Sequence, residues 1–172
     1  MKNLNTSSLS FAVLLICLTL FTGASMAQEG QRTRSQAVYV EVLGNGLTYS
    51  LNYDTRFSKS LKGLGCRAGA SYFADEESRL ASFPILINYL FGRDKHYFEV
   101  GAGATLLAAT SESDASPVGS LESGSAIIGT MSFAYRLEPQ NGGVIFRAGI
   151  TPVFDSSAFL PFWPQVSFGY AF

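Results

Sequence analysis

The sequence predicts an all-β protein, an eight-stranded antiparallel transmembrane β-barrel preceded by a cleaved signal peptide. Three observations predict it. The dominant period of the chain after its leader is two residues rather than 3.6, the mark of strands with two unlike faces. Charged residues make up 15% of the sequence, against about 25% in ordinary globular domains, too few to coat a normal soluble surface. The chain also ends in "PQVSFGYAF", where Val166, Phe168, Tyr170 and Phe172 alternate with small or polar residues up to the last position, although most termini fray into polar tails.

The leader comes first. Lys2 supplies a weak positive start, "FAVLLICLTLF" (11–21) is an apolar run of signal-peptide length, and "GASMA" (23–27) follows with Ser25 and Ala27 at the −3 and −1 positions of a cleavage site. The expected organisation is a signal peptide over 1–27 cut after Ala27, a short periplasmic segment over 28–35, and a barrel over 36–172. Cys17 leaves with the leader. Cys66 then has no internal partner and reads as a small hydrophobe on an alternating face.

The strands follow in order. Val38, Val40 and Val42 share a face in "AVYVEV" (37–42), "GNG" (44–46) reads as a tight turn, and Leu47, Tyr49, Leu51 and Tyr53 share a face in "LTYSLNY" (47–53). Further alternating runs cover 63–73, 81–91, 96–107, 125–137, 143–154 and 161–172. They are joined by polar connectors such as "DTRFSKSLK", "ADEESR", "ATSESDASPVGSLES" and "EPQNG". Runs of this length, tilted, span a bilayer.

A soluble sandwich or barrel would display charge on its second face. Here that face carries mostly Gly, Ser, Thr and Asn, while the apolar face sets aromatics near strand ends around an aliphatic middle. This is the distribution a membrane barrel needs, because aromatic rings prefer the headgroup level. Lipid offers no hydrogen bonds, so such a sheet must close on itself.

The final strand resembles the C-terminal targeting signal of bacterial outer-membrane proteins. That resemblance implies that Val166, Phe168, Tyr170 and Phe172 are read by the barrel assembly machinery. Through "YVEVLGNGLTYSLNYDTRF", "FPILINYLFG", "KHYFEVGAGAT", "FRAGITPVF" and "VSFGYAF", nearly the whole mature chain resembles small outer-membrane β-barrel proteins of the Bacteroidetes type. The resemblance implies an outer-membrane location and names no substrate.

Eight strands put both termini in the periplasm. The outward loops are then "GNG", "ADEESR", the segment 108–123 and about 155–160. Their charges are mainly acidic (Asp75, Glu76, Glu77, Glu112, Asp114, Glu122, Asp155, against Arg79), and the inward turns hold Arg56, Lys59, Lys62, Arg93 and Lys95. Inward parity assigns Glu41, Arg67, Glu99, Arg136 and Arg147 to a lumen charge network. A barrel of this strand number is about filled by its own side chains, and isolated charges there would be costly, so a salt-bridged plug is expected. Glycines 65, 69, 101, 103, 149 and 169 also face inward and leave room for water, which keeps a narrow solute path open as the alternative.

The catalytic signals are weak. His96 is the single histidine and shares the lipid-facing parity of Phe98. There is no GxSxG or HExxH, and "GAGAT" (101–105) precedes no helix. The expectation is an integral outer-membrane barrel of non-enzymatic role, structural or surface-interacting through its outer loops. A narrow channel or solute-binding barrel is the alternative, and a lipid-modifying enzyme the more distant one. No catalytic, metal or cofactor site is assigned, and no nucleic-acid partner, since the net charge is −1. Outer-membrane lipid and the assembly machinery are the expected partners of a monomer.

Overall fold

The computed structural model describes residues 34–74, 78–111 and 124–172. The expected signal peptide with its cleavage residue Ala27, residues 28–33, and positions 75–77 and 112–123 lie outside the described residues. The strands are β1 (Gln36–Leu43), β2 (Tyr49–Arg56), β3 (Gly63–Ala74), β4 (Ser78–Arg93), β5 (His96–Ser111), β6 (Gly124–Leu137), β7 (Gly143–Ile150), β8 (Val153–Phe154), β9 (Phe159–Leu160) and β10 (Pro164–Ala171). The sheet runs β5-β4-β3-β2-β1-β10-β7-β6, and pairing of β5 with β6 closes it.

Ten segments make eight barrel strands. β8 keeps the register of β7 against β6, with Phe133 opposite Ile150 and Thr130 opposite Val153. Pro152, which has no N–H to give, divides the two, yet its carbonyl still accepts from Met131 N at 2.9 Å. Opposite this break, Pro161, Phe162 and Trp163 face only Thr151 and Pro152 between the pairs Leu160–Val153 and Pro164–Ile150. That extra residue is a β-bulge, held by Thr151 N donating to Trp163 O at 2.6 Å.

The register fixes the shape. From Val42, the extended β2–β3 register leads through Tyr49 to Tyr72. The other way round, through Val166, Ala148, Tyr135, Phe98 and Phe91, it reaches β3 at Lys62. The net stagger is thus the ten residues between Lys62 and Tyr72, and with eight strands it tilts them by about 40–45°.

The polarity is inside out. Glu41, Ser50, Asn52, Asp54, Arg67, Asn88, Glu99, Arg136 and Arg147 are at most 2% exposed, while Val40, Leu51, Ile85, Ile87, Ile127, Val166 and Phe168 are 47–68% exposed. Outward aromatics gather toward the end that carries the termini (Tyr53, Tyr89, Phe91, Phe98, Tyr135, Phe146, Phe172) and again toward the opposite end (Tyr49, Tyr72, Phe83, Phe159, Phe162). An aliphatic band between two aromatic girdles is the profile of a bilayer.

Two expectations need correction. The inward glycines do not open space for water. A methyl group at Gly103, Gly149 or Gly169 would run into the carbonyl of Ile85, Phe133 or Val38 on the neighbouring strand, and one at Gly65 into the Arg56 guanidinium. The glycines let strands and side chains approach closely in a narrow barrel. "GNG" is also not an exposed turn. Gly44–Gly46 form one turn of 3₁₀ helix whose three residues are all buried, so the first connection folds into the barrel.

Candidate functional site

The lumen is built by the inward positions of every strand. Arg147 of β7 reaches past β6 to Glu99 of β5, with Nη2 2.6 Å from Oε1 and Nε donating to Oε2 at 3.1 Å. Its Nη1 meets Glu41 Oε2 at 3.0 Å and Ser167 Oγ at 3.0 Å. The guanidinium lies over the Tyr39 ring, 4.7 Å from its centroid, a cation–π contact strengthened by the burial of both groups. Arg67 sits 3.1 Å from Glu41 and 3.8 Å from Glu99, and donates to Tyr39 Oη at 3.2 Å. Arg136 lies 3.3 Å from Glu99 and 3.2 Å from Asp54, and 2.7 Å from Glu138. The five positions singled out by inward parity thus stand within one set of contacts, with Glu99 touching three guanidinium groups.

Three further charges belong to it. Asp54 holds Arg56 Nη2 at 2.6 Å and accepts from Asn88 Nδ2 at 2.6 Å. Arg56 also donates to Asn88 Oδ1 at 2.7 Å and Gly63 O at 3.0 Å. Glu138 accepts from Arg136 and from Ser35 Oγ at 2.7 Å. Sequence reasoning left Asp54, Arg56 and Glu138 in connectors. The parity of Asn52 continues through Asp54 and Arg56, and that signal marks β2 as longer than its apolar run. Arg56, Arg67, Arg136 and Arg147 are therefore balanced by Glu41, Asp54, Glu99 and Glu138, and all eight are at most 2% exposed. Desolvation penalises each charge heavily, and mutual pairing offsets it, although Arg56 Nε and Arg67 Nε find no hydrogen-bond partner among the described residues.

Above this network the first connection folds into the lumen. Asn45 N donates to Glu41 Oε1 at 3.0 Å, Asn45 Oδ1 accepts from Arg67 Nη2, and Asn45 Nδ2 reaches Met131 O at 3.3 Å. Thr105 Oγ1 donates to Asn45 O at 2.8 Å and Ser82 Oγ to Gly46 O at 3.0 Å. The flanking Leu43 and Leu47 take φ of 61° and 70°, a left-handed conformation unfavourable for leucine. Bonds to β3, β4, β5 and β6 hold the strained turn in place.

Other singled-out residues lie elsewhere. His96 is exposed at the terminal end, its Nδ1 2.5 Å from Tyr135 Oη. Cys66 is a half-buried free thiol on the lipid-facing parity. Val166, Phe168 and Tyr170 alternate outward on β10, which pairs with β1 along its length, and Phe172 N donates to Gln36 O at 2.8 Å. At the opposite end, Asp155 accepts from Ser157 N at 2.7 Å, Ser157 Oγ at 2.9 Å and Ala158 N at 2.7 Å. Those donors hold its carboxyl below the usual aspartate range. Among the described residues, no three His, Cys, Asp or Glu side chains are grouped to hold a metal ion.

No family model and no curated protein matches the chain. The fold is similar to the N-terminal β-barrel domain of Pseudomonas aeruginosa OprF, with a TM-score of 0.55 at 10% identity, covering 84% of this chain and 100% of that one. The outer-membrane enzyme PagL also matches, with a TM-score of 0.39 at 16% identity, over 80% of this chain and 96% of that one. The first likeness shows the fold. The apolar belt, the two girdles and the closed sheet show the solvent it is built for. The chain is an integral outer-membrane β-barrel.

The direct Glu99–Arg147 contact predicts strong coupling. Glu99→Gln leaves Arg67, Arg136 and Arg147 undercompensated and should cost about 3–5 kcal/mol. Adding Arg147→Met should cost less than the two single losses summed, with a coupling of about 1 kcal/mol or more. Urea unfolding of the refolded barrel in lipid vesicles measures the cycle. Strict additivity would make the two residues independent.

Proposed function

We propose that this barrel is a closed, non-enzymatic outer-membrane protein whose role is structural or surface-interacting, carried by the loops at the end opposite the termini. One observation carries the reading: charge-balanced pairs and an inward-folded first connection occupy the lumen, so an ion would have to break buried salt bridges to cross. A filled lumen also disfavours the alternative of a narrow channel or solute-binding barrel. In this reading the termini face the periplasm, the chain is a monomer, and it is one of the small barrels of the Bacteroidetes type that its sequence resembles. Residues 1–27 act as a signal peptide.

Planar-bilayer recording on the refolded barrel tests the closed lumen. The expected result is an unchanged baseline after insertion is verified by heat-modifiable migration. Reproducible conductance steps from verified folded protein would replace this reading with the channel.

The same proposal makes Val166, Phe168, Tyr170 and Phe172 the assembly signal. β10 supplies the closing pair with β1, and Phe172 continues its outward alternation while remaining 49% exposed. Phe172→Asp should lower the amount of heat-modifiable barrel in the outer membrane several-fold and leave the periplasmic precursor undiminished. Equal folded amounts would assign the phenylalanine to the aromatic girdle alone.

A further inference from the structure

The end that carries the termini has an uneven rim. Arg34, Lys59, Lys62, Arg93 and Lys95 are all exposed there. Two of these cations flank the lipid-facing wall, Lys62 just before β3 and Arg93 at the last position of β4. The β3–β4 register, with Gly63 opposite Leu90 and Leu64 opposite Tyr89, sets Lys62 across from Phe91. Arg93 lies two residues beyond Phe91 on the same face of β4, at the level where the strand leaves the aromatic girdle. Between the β2–β3 turn and the end of β4 is a cleft of about 400 Å³, lined by Ser58, Ser60, Lys62, Gly63, Tyr89 and Phe91 among others. The Tyr89 and Phe91 rings stand 4.5 Å apart, centroid to centroid, and are 43% and 53% exposed.

We propose that this cleft seats the phosphodiester headgroup of an anionic glycerophospholipid. The chemistry is divided by depth. Lys62, which lines the cleft, and Arg93, which follows the lining residue Gly92, bring positive charge to the headgroup level, and the hydroxyls of Ser58 and Ser60 are short donors suited to phosphate oxygens. Below them, Tyr89, Phe91, Ile87 and Leu64 present an exposed apolar wall against which an acyl chain lies. A free phosphate would meet the cations but gain nothing from that wall, so the lipid is the favoured source of the anion. Each cation near a membrane surface contributes enough attraction for several-fold selectivity.

The test uses the barrel refolded into phosphatidylcholine vesicles containing phosphatidylglycerol, followed by gentle detergent extraction and native mass spectrometry of retained lipid. Because vesicles present both leaflets alike, the outcome does not depend on which way the barrel inserts in the cell, nor on whether its lumen conducts. The expected result is retention of phosphatidylglycerol over phosphatidylcholine by roughly fivefold or more. The double variant Lys62→Ala, Arg93→Ala should lose that preference, and Lys95→Ala, at the same rim but outside this cleft, should keep it. Heat-modifiable migration verifies folding of each variant, and if the double variant does not fold, Lys62→Ala alone is read in the same way. Equal retention of the two lipids by the unaltered barrel would overturn the proposal. Loss of preference in Lys95→Ala to the same degree would also overturn it, assigning the effect to general rim charge. Competition by free glycerol phosphate at concentrations matching the lipid headgroup would overturn the lipid as the ligand.

Discussion

The structure depends on how Glu99 is neutralised. One carboxylate deep in a narrow barrel faces Arg147 at 2.6 Å, Arg136 at 3.3 Å and Arg67 at 3.8 Å. Those three arginines reach on to Glu41, Asp54 and Glu138, so Glu99 and each of its three arginines are neutralised by more than one partner. A membrane barrel inverts the usual protein: the outer face is spent on lipid, and the interior must solvate itself. With a lumen this narrow, water cannot be the bulk of that solvent, and the side chains take its place.

Much else follows from that constraint. The stagger tilts the strands so that inward positions from β1, β2, β3, β5, β6 and β7 meet in one compact set. Glycines at inward positions allow backbone and guanidinium groups to approach where a methyl would collide. The upper lumen still offers donors and acceptors that the charges do not reach, such as Ser82, Thr105 and the carbonyl of Met131. The first connection supplies them from Asn45 and Gly46, at the cost of two leucines with positive φ.

Much of this was legible in the sequence, because lipid and lumen impose opposite chemistry on alternate residues. The alternation gave the strands, and their number gave a lumen that side chains fill. Parity placed Glu41, Arg67, Glu99, Arg136 and Arg147 on the inward face. Asp54 and Arg56 were missed because apolar alternation ends near Tyr53 while the inward parity runs on, so the polar half of the pattern outlasts the apolar half. Glu138 was missed because it follows the last residue of β6. The buried fate of "GNG" was illegible for a different reason. Turn residues report local backbone freedom, whereas the fold of this turn is set by partners on β3, β4, β5 and β6. The bulge at Pro161–Trp163 likewise depends on the interruption opposite it at Pro152.

The most direct measurement of the account is the solvent access of the buried guanidinium groups. Arg136 Nε donates to Glu138 at 2.7 Å and Arg147 Nε to Glu99 at 3.1 Å. In the barrel refolded into lipid nanodiscs and observed by NMR at neutral pH, both Nε–H protons should be resolved and should exchange with water far more slowly than that of the exposed Arg93. Glu99→Gln should accelerate the exchange of Arg147. Exchange of both protons at the rate of Arg93 in folded barrel would mean that water fills the lumen, and would contradict an interior held together by its own charge pairs.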